Sequence, residues 1–229
     1  MSIHAVDPEI SYHETRFTYD KRRTIVWTEI IRYLQKKVLF GETVLDVGCG
    51  YGEFINHVPS PHRFAIDQNP AMKQYLDENV SFTASDALQI RQLFAQNSLD
   101  FIFCSNLLEH LERDEIGALL KIFASLVKPD GHVGIMMPNY SRAPHRYFDD
   151  YTHKTPLSDV ALSDWLSAVG LEPVLVDPSF MPFSLKGSRL PVSRLLVRAW
   201  LLSPFRPWGR QMLVIARRPH LSKRSHVAE

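Results

Sequence analysis

Apolar positions recur in two alternating patterns along the chain. Ile25, Ile30, Ile31 and Leu34 fall at helical spacing, which predicts a helix over Asp20–Lys37 with Asp20 as its cap. Compact apolar runs then predict strands at Thr43–Val47, Arg63–Ile66, Val80–Thr83 and Leu99–Ser105, the last almost wholly apolar. Amphipathic spacing predicts helices over Arg113–Val127 and Ser158–Val169, with Val133–Met137 as a strand between them. Leu171–Val176 and Gln211–Ala216 read as two late strands. Strands that are apolar without strict alternation, separated by helices, imply a largely parallel sheet covered on both faces. The expected fold class is α/β and Rossmann-like.

The pattern divides the chain. Residues 1–19, with Tyr12, Phe17 and Tyr19, read as an arm or lid, and residues 20–177 as the core. Residues 178–209 form a basic, apolar insertion, 210–218 return as the last strand of the core, and 219–229 read as a disordered tail.

Composition adds limits. A length of 229 residues with 45% hydrophobic and 22% charged positions suits one sizeable α/β domain and excludes a disordered or collagen-like chain. Two cysteines, Cys49 and Cys104, sit in apolar runs and read as buried reduced thiols. No signal-peptide pattern opens the sequence, and no run approaches the ~20 apolar residues of a transmembrane helix. A cytoplasmic globular protein is therefore expected. The net charge of +1 hides an asymmetry: Met1–Asp177 sums to −8 and Pro178–Glu229 to +9. A basic tail on an acidic body points to an anionic partner for the tail.

Candidate chemistry concentrates at Val44-Leu45-Asp46-Val47-Gly48-Cys49-Gly50-Tyr51-Gly52. An apolar strand runs into Asp46, glycines then occupy alternate positions, and Glu53-Phe54-Ile55 reads as the start of a helix. Glycines permit positive φ and close ligand approach, and a strand-to-helix crevice is where open α/β sheets bind ligands. The spacing is G-x-G-x-G, not the dinucleotide G-x-G-x-x-G, and no Gly-Lys-Ser/Thr follows as in a phosphate-binding loop. The acid before the loop repels a pyrophosphate and suits a cationic ligand. Asp67, followed by Gln68, ends the second strand, where a carboxylate can hold ribose hydroxyls. Asp86, before Ala87, follows the third strand, where it can accept from an adenine amine.

This constellation resembles the class I S-adenosylmethionine-dependent methyltransferases, over about Thr43 to Asn139. The resemblance rests on the glycine loop, Asp67, Asp86, the segment Leu99–Leu111 and the turn Lys128-Pro129-Asp130-Gly131. It implies a seven-stranded sheet whose last strand runs antiparallel, with S-adenosylmethionine as cofactor. By the same resemblance Asp46 and Gly48, Gly50 and Gly52 lie near the methionine part, and Asp67 and Gln68 near the ribose. Asp86 and Ala87 then border the adenine, and Asn106 and Leu107 the sulfonium.

Transfer to a hydroxyl benefits from a base, for which a histidine suits neutral pH. His110, in Asn-Leu-Leu-Glu-His-Leu, and His153, in Asp-Tyr-Thr-His-Lys-Thr-Pro, are the candidates. The second phrase resembles one in methyltransferases of glycan and surface-polysaccharide clusters, although Leu157 stands where an aromatic is common. The expected acceptor is therefore a hydroxyl of a sugar or lipid-linked saccharide. Another small metabolite, or a non-catalytic cofactor-binding module, stays open as an alternative. No His, Cys and carboxylate cluster has ligand spacing, so no metal site is expected.

Pro178–Arg218 holds eight Lys and Arg and no acid, interleaved with Phe183, Trp200, Phe205, Trp208 and many leucines. Three readings stay open: an insertion packed on the sheet or a second subunit, a membrane-surface element, or a phosphate or nucleic-acid contact. The acidic body argues against nucleic acid as a substrate. Oligomeric state is not legible.

Overall fold

The computed structural model describes residues 19–182 and 192–220. The expected arm, apart from Tyr19, lies outside the described residues, as do Phe183, Lys186 and Arg189 of the insertion and residues 221–229 of the tail.

Seven strands form one sheet: β1 (Thr43–Val47), β2 (His62–Asp67), β3 (Val80–Ala84), β4 (Leu99–Ser105), β5 (Val127–Pro138), β6 (Glu172–Pro182) and β7 (Gly209–Arg217). Their spatial order is β3-β2-β1-β4-β5-β7-β6. The first five pair in parallel, and β7 runs antiparallel between β5 and β6. This is the expected Rossmann-like α/β architecture.

Among the described residues four α-helices flank the sheet: α1 (Arg22–Leu34), α2 (Arg113–Leu126), α3 (Asp159–Ala168) and α4 (Arg194–Leu202). Period-two alternation assigns the faces. On β4, Ile102 and Cys104 join the core with α2 and α3, while Phe101 and Phe103 join the core with α1 and α4. Both faces are covered, so β4 is buried nearly throughout, as its apolar run predicts. Helix starts follow local chemistry. Ser158 Oγ accepts the Ala161 N–H at 3.1 Å, and the Glu115 carboxylate accepts the Glu112 N–H at 2.7 Å.

Four expectations change. The helix expected from Glu53 is a run of turns over residues 51–57, mixing i→i−3 and i→i−4 bonds such as His57 N–H to Phe54 and Asn56 N–H to Gly52. Pro59 then cuts the segment short. β5 begins at Val127 rather than Val133, because Val127 pairs with Leu99 before the register shifts past Asp130 and Gly131. β6 continues past Val176 to Pro182, so the boundary placed at residue 178 falls inside a strand. The segment after it includes α4, a helix absent from the sequence reading.

β1 connects outward to β2 in one direction, while its other neighbour is β4. The order reverses there, and such a switch point leaves a crevice beyond the carboxyl ends of the strands. That crevice is where the glycine loop lies.

Candidate functional site

A cavity of about 540 Å³ opens at the carboxyl ends of β1, β2 and β4. Gly48 and Gly50 line it with φ of 71° and 49°, values that other residues adopt only under strain. The Gly48 and Cys49 N–H groups donate to the Ile66 carbonyl at 2.8 and 3.0 Å, and the Gly50 N–H donates to Asp67 Oδ2 at 2.9 Å. The loop is thereby fixed to the end of β2. Asp67 Oδ1 accepts the Asn69 N–H at 2.9 Å, which orients the carboxylate along the wall.

Asp46 is 2% exposed and lines the same cavity. Burial pushes its carboxyl well up, Glu53 and Asp67 push it further, and the Ile55 N–H opposes them. Burial also raises Glu53, which Arg23 counters through an ion pair at 2.7 Å. Three carboxyl groups facing one arginine make this end of the cavity ready for a cationic ligand. Asn106 sits at the far side with φ of 52°, its N–H donating to Met136 and its Oδ1 accepting from Gln211 Nε2 at 2.8 Å. A strand-end turn held by β7 places Ser105, Asn106 and Leu107 as the floor.

Asp46, Gly48, Gly50, Asp67, Gln68, Asn106, Leu107 and His110 thus share one cavity. Gly52, Asp86, Ala87 and His153 are not among its lining residues. Gly52, with φ of 71°, instead lets the chain pass Leu76, since a Cβ there would lie 2.4 Å from Leu76 Cδ2. Asp86 caps the turn after β3, accepting the Leu88 N–H at 2.7 Å, and also accepts from Gln68 Nε2 at 2.7 Å. Its reach toward the cavity therefore runs through Gln68. Arg23, Trp27, Phe54, Asn69, Tyr151, Thr152 and Lys154 line the wall without having been singled out as site residues. Arg23 and Trp27 come from α1, whose helical pattern advertised only core packing.

The two histidines meet although 43 positions separate them in the chain. Their ring centroids are 5.0 Å apart. His153 Nδ1 lies 2.6 Å from the Tyr147 carbonyl, and His110 Nδ1 lies 3.3 Å from that of Thr152. A carbonyl only accepts, so in a neutral ring Nδ1 carries the proton and Nε2 is the accepting nitrogen. Burial, and then the neighbouring His153, depress the pKa of His110, which keeps its ring neutral near pH 7. Glu109, 1% exposed, completes the cluster, and burial raises its carboxyl to about 8. One donor atom from each of the three lies within 4.8 Å of the others. That closeness offers a proton two acceptors, and it equally offers a small cation three donors. The chain separation concealed this cluster from spacing rules.

Residues 19–176 match the family model described as methyltransferase domain, and the chain belongs to that family. Phosphoethanolamine N-methyltransferase 1 of Triticum aestivum is 28% identical over 104 residues, which is 42% of this chain and 21% of that protein. The chain thus matches about a fifth of the length of that relative. A SAM-dependent methyltransferase of Archaeoglobus fulgidus superposes with a TM-score of 0.67 at 23% identity, over 92% of this chain and all of that one. The 1,6-didemethyltoxoflavin-N1-methyltransferase of Burkholderia thailandensis, with bound 1,6-didemethyltoxoflavin and S-adenosylhomocysteine, gives a TM-score of 0.59 at 19% identity over 93% of this chain and 85% of that one. S-adenosylmethionine is the cofactor, and the cavity suits it: acids meet its positive charge, and Asp67 stands at the second strand end.

Proposed function

We propose that this methyltransferase methylates a hydroxyl of a small polar acceptor, a sugar or lipid-linked saccharide, that enters beside His110. The observation that carries this reading is His110 itself. It lines the cofactor cavity, its Nδ1–H is committed to the Thr152 carbonyl, and its ring is held neutral. A lone pair on Nε2 can then take the acceptor's hydroxyl proton, a contribution worth about 10²–10⁴ in rate.

Bound cofactor supplies an electrophilic methyl group on a sulfonium. The chain's own residues do the rest. Asp46, Gly48, Gly50, Asp67 and Gln68 hold and orient one partner, and Asn106 and Leu107 form the floor under it. Tyr151, Thr152 and Lys154 form the wall against which an acceptor aligns and from which water is displaced. His153 positions His110, and Tyr147 in turn positions His153 through its carbonyl; the Tyr147 hydroxyl itself donates to the Thr155 carbonyl at 2.8 Å.

A second reading, an amine acceptor, draws on the similarity to phosphoethanolamine N-methyltransferase 1. Both readings are tested by supplying methyl-labelled S-adenosylmethionine with a panel holding nucleotide sugars, lipid-linked saccharides and phosphoethanolamine. Label on a saccharide oxygen supports the first reading. Label confined to phosphoethanolamine nitrogen replaces it with the second.

A further inference from the structure

α4 is apolar on two opposite sides. Val197 and Leu201 point into the core against α1, and Trp200 Nε1–H donates to the Phe180 carbonyl at 2.8 Å. Arg198 bonds Glu29 of α1, whose side chain is 1% exposed. The helix is therefore firmly seated. Its other side carries Leu195 and Leu202, which are 77% and 72% exposed and a full two turns apart on one face. Leu196 on the helix, and Phe205 and Trp208 just after it, are also uncovered, at 52%, 77% and 69% exposure. Single exposed leucines need no explanation, but five large apolar side chains within fourteen residues on a fixed element form a patch.

The charge around the patch selects its occupant. Residues 192–210 carry Arg194, Arg198, Arg206 and Arg210 and no acid, and the two acids from elsewhere that meet them are Glu29 at Arg198 and Asp177 at Arg206. A second copy of this chain in a two-fold contact would bring Arg194 and its neighbours against themselves, which like charge opposes. Nucleic acid would meet leucines where it needs polar donors. An anionic lipid surface satisfies both features: headgroups take the cations, and the interfacial layer takes leucine and aromatic side chains. No helix among the described residues is long and apolar enough to cross a membrane, so the contact is a surface one.

We propose that α4 and the turn through Trp208 form a docking surface for an anionic lipid bilayer. α1 ties this surface to the cofactor cavity: its Glu29 grips Arg198 while its Arg23 and Trp27 line the cavity. Docking would therefore bring the cleft to the plane in which a lipid-borne acceptor lies. That last consequence rests on the proposed acceptor, but the lipid contact does not.

The test is co-sedimentation of the full chain with vesicles of equal parts phosphatidylglycerol and phosphatidylcholine, against pure phosphatidylcholine. The wild-type protein is expected to pellet with the anionic vesicles and to be released partly by salt, which shortens screening to ~3 Å at 1 M. The triple variant Leu195→Ala, Leu202→Ala, Trp208→Ala should lose partition about tenfold or more. Its affinity for S-adenosylhomocysteine should stay that of the wild type, which also certifies its fold. Wild-type protein left in the supernatant at low salt overturns the proposal. So does equal binding by the variant, or a wild-type dimer that the variant converts to monomer.

Discussion

The backbone N–H of Gly50 donates to Oδ2 of Asp67 at 2.9 Å, joining the loop after β1 to the end of β2. Two features that are separate in sequence are thus one device. The loop cannot move without Asp67, and Asp67 cannot turn from the cavity without giving up the loop. Asp67 also lines the cavity, so the same carboxylate that fixes the loop borders the space open to a ligand.

His110 and His153 differ in what their loss should do. His110→Ala is expected to lower turnover by about 10²–10⁴, and His153→Ala by less, because it orients the ring that faces the cavity. Cofactor affinity should hold in both. The pH–rate profile of the wild type should fall toward acid, since the base works deprotonated. Its midpoint should lie below the ordinary histidine value, because burial and His153 disfavour the imidazolium. A flat profile between pH 5 and 8 would remove the base from the account.

Chelation separates the two uses of the Glu109–His110–His153 cluster. Protein dialysed against a chelator is expected to turn over at the same rate as untreated protein. Loss of activity that zinc restores would assign the cluster to a cation instead.

Asp100 sets an acid limit on stability. Its carboxylate accepts Lys128 Nζ at 2.8 and 2.9 Å and the Thr43 N–H at 2.9 Å, tying β4 to the start of β5 and to the start of β1. Burial opposes the charge, yet these bonds prevail and lower its pKa. A lowered carboxylate stabilises the fold above its unfolded pKa and loses that stabilisation as pH falls through the folded value. Asp100→Asn should therefore cost about 1–3 kcal/mol at neutral pH. The gap to wild type should close in denaturation curves recorded at progressively lower pH.

Arg198 and Arg194 look equivalent in sequence and should behave differently. Arg198→Glu sets a carboxylate against the buried Glu29, which Arg32 also bonds at 2.8 Å, and should lower the melting temperature. Arg194→Glu should leave melting unchanged. Equal melting of both variants would mean that the Glu29 contact does not hold α4.

The sheet was legible because its strands are apolar and its turns carry glycine and acids in order. The glycine loop at the cavity was legible for the same reason, since Asp46, Gly48 and Gly50 lie close together in one short segment, whereas Gly52 does not line the cavity. α4 was hidden because Arg194 to Leu202 is a short run bracketed by Pro191 and Pro204, which read as breaks in an irregular insertion. Arg198 and Arg206 belong to a basic segment that in sequence points to an anionic partner, but each meets a carboxylate of this chain distant in sequence, Glu29 and Asp177. Glu109 went unassigned because only the fold brings His153 back beside it.

The central claim is that this cavity holds the cofactor through Asp67 and the glycine loop, and calorimetry with S-adenosylhomocysteine tests it most directly. The wild-type protein should bind one equivalent, and Asp67→Ala should weaken binding by about 1–3 kcal/mol, the loss of charge-assisted bonds to hydroxyls and of the tie to Gly50. Unchanged affinity in Asp67→Ala, with the fold intact by melting, would contradict the assignment of the site.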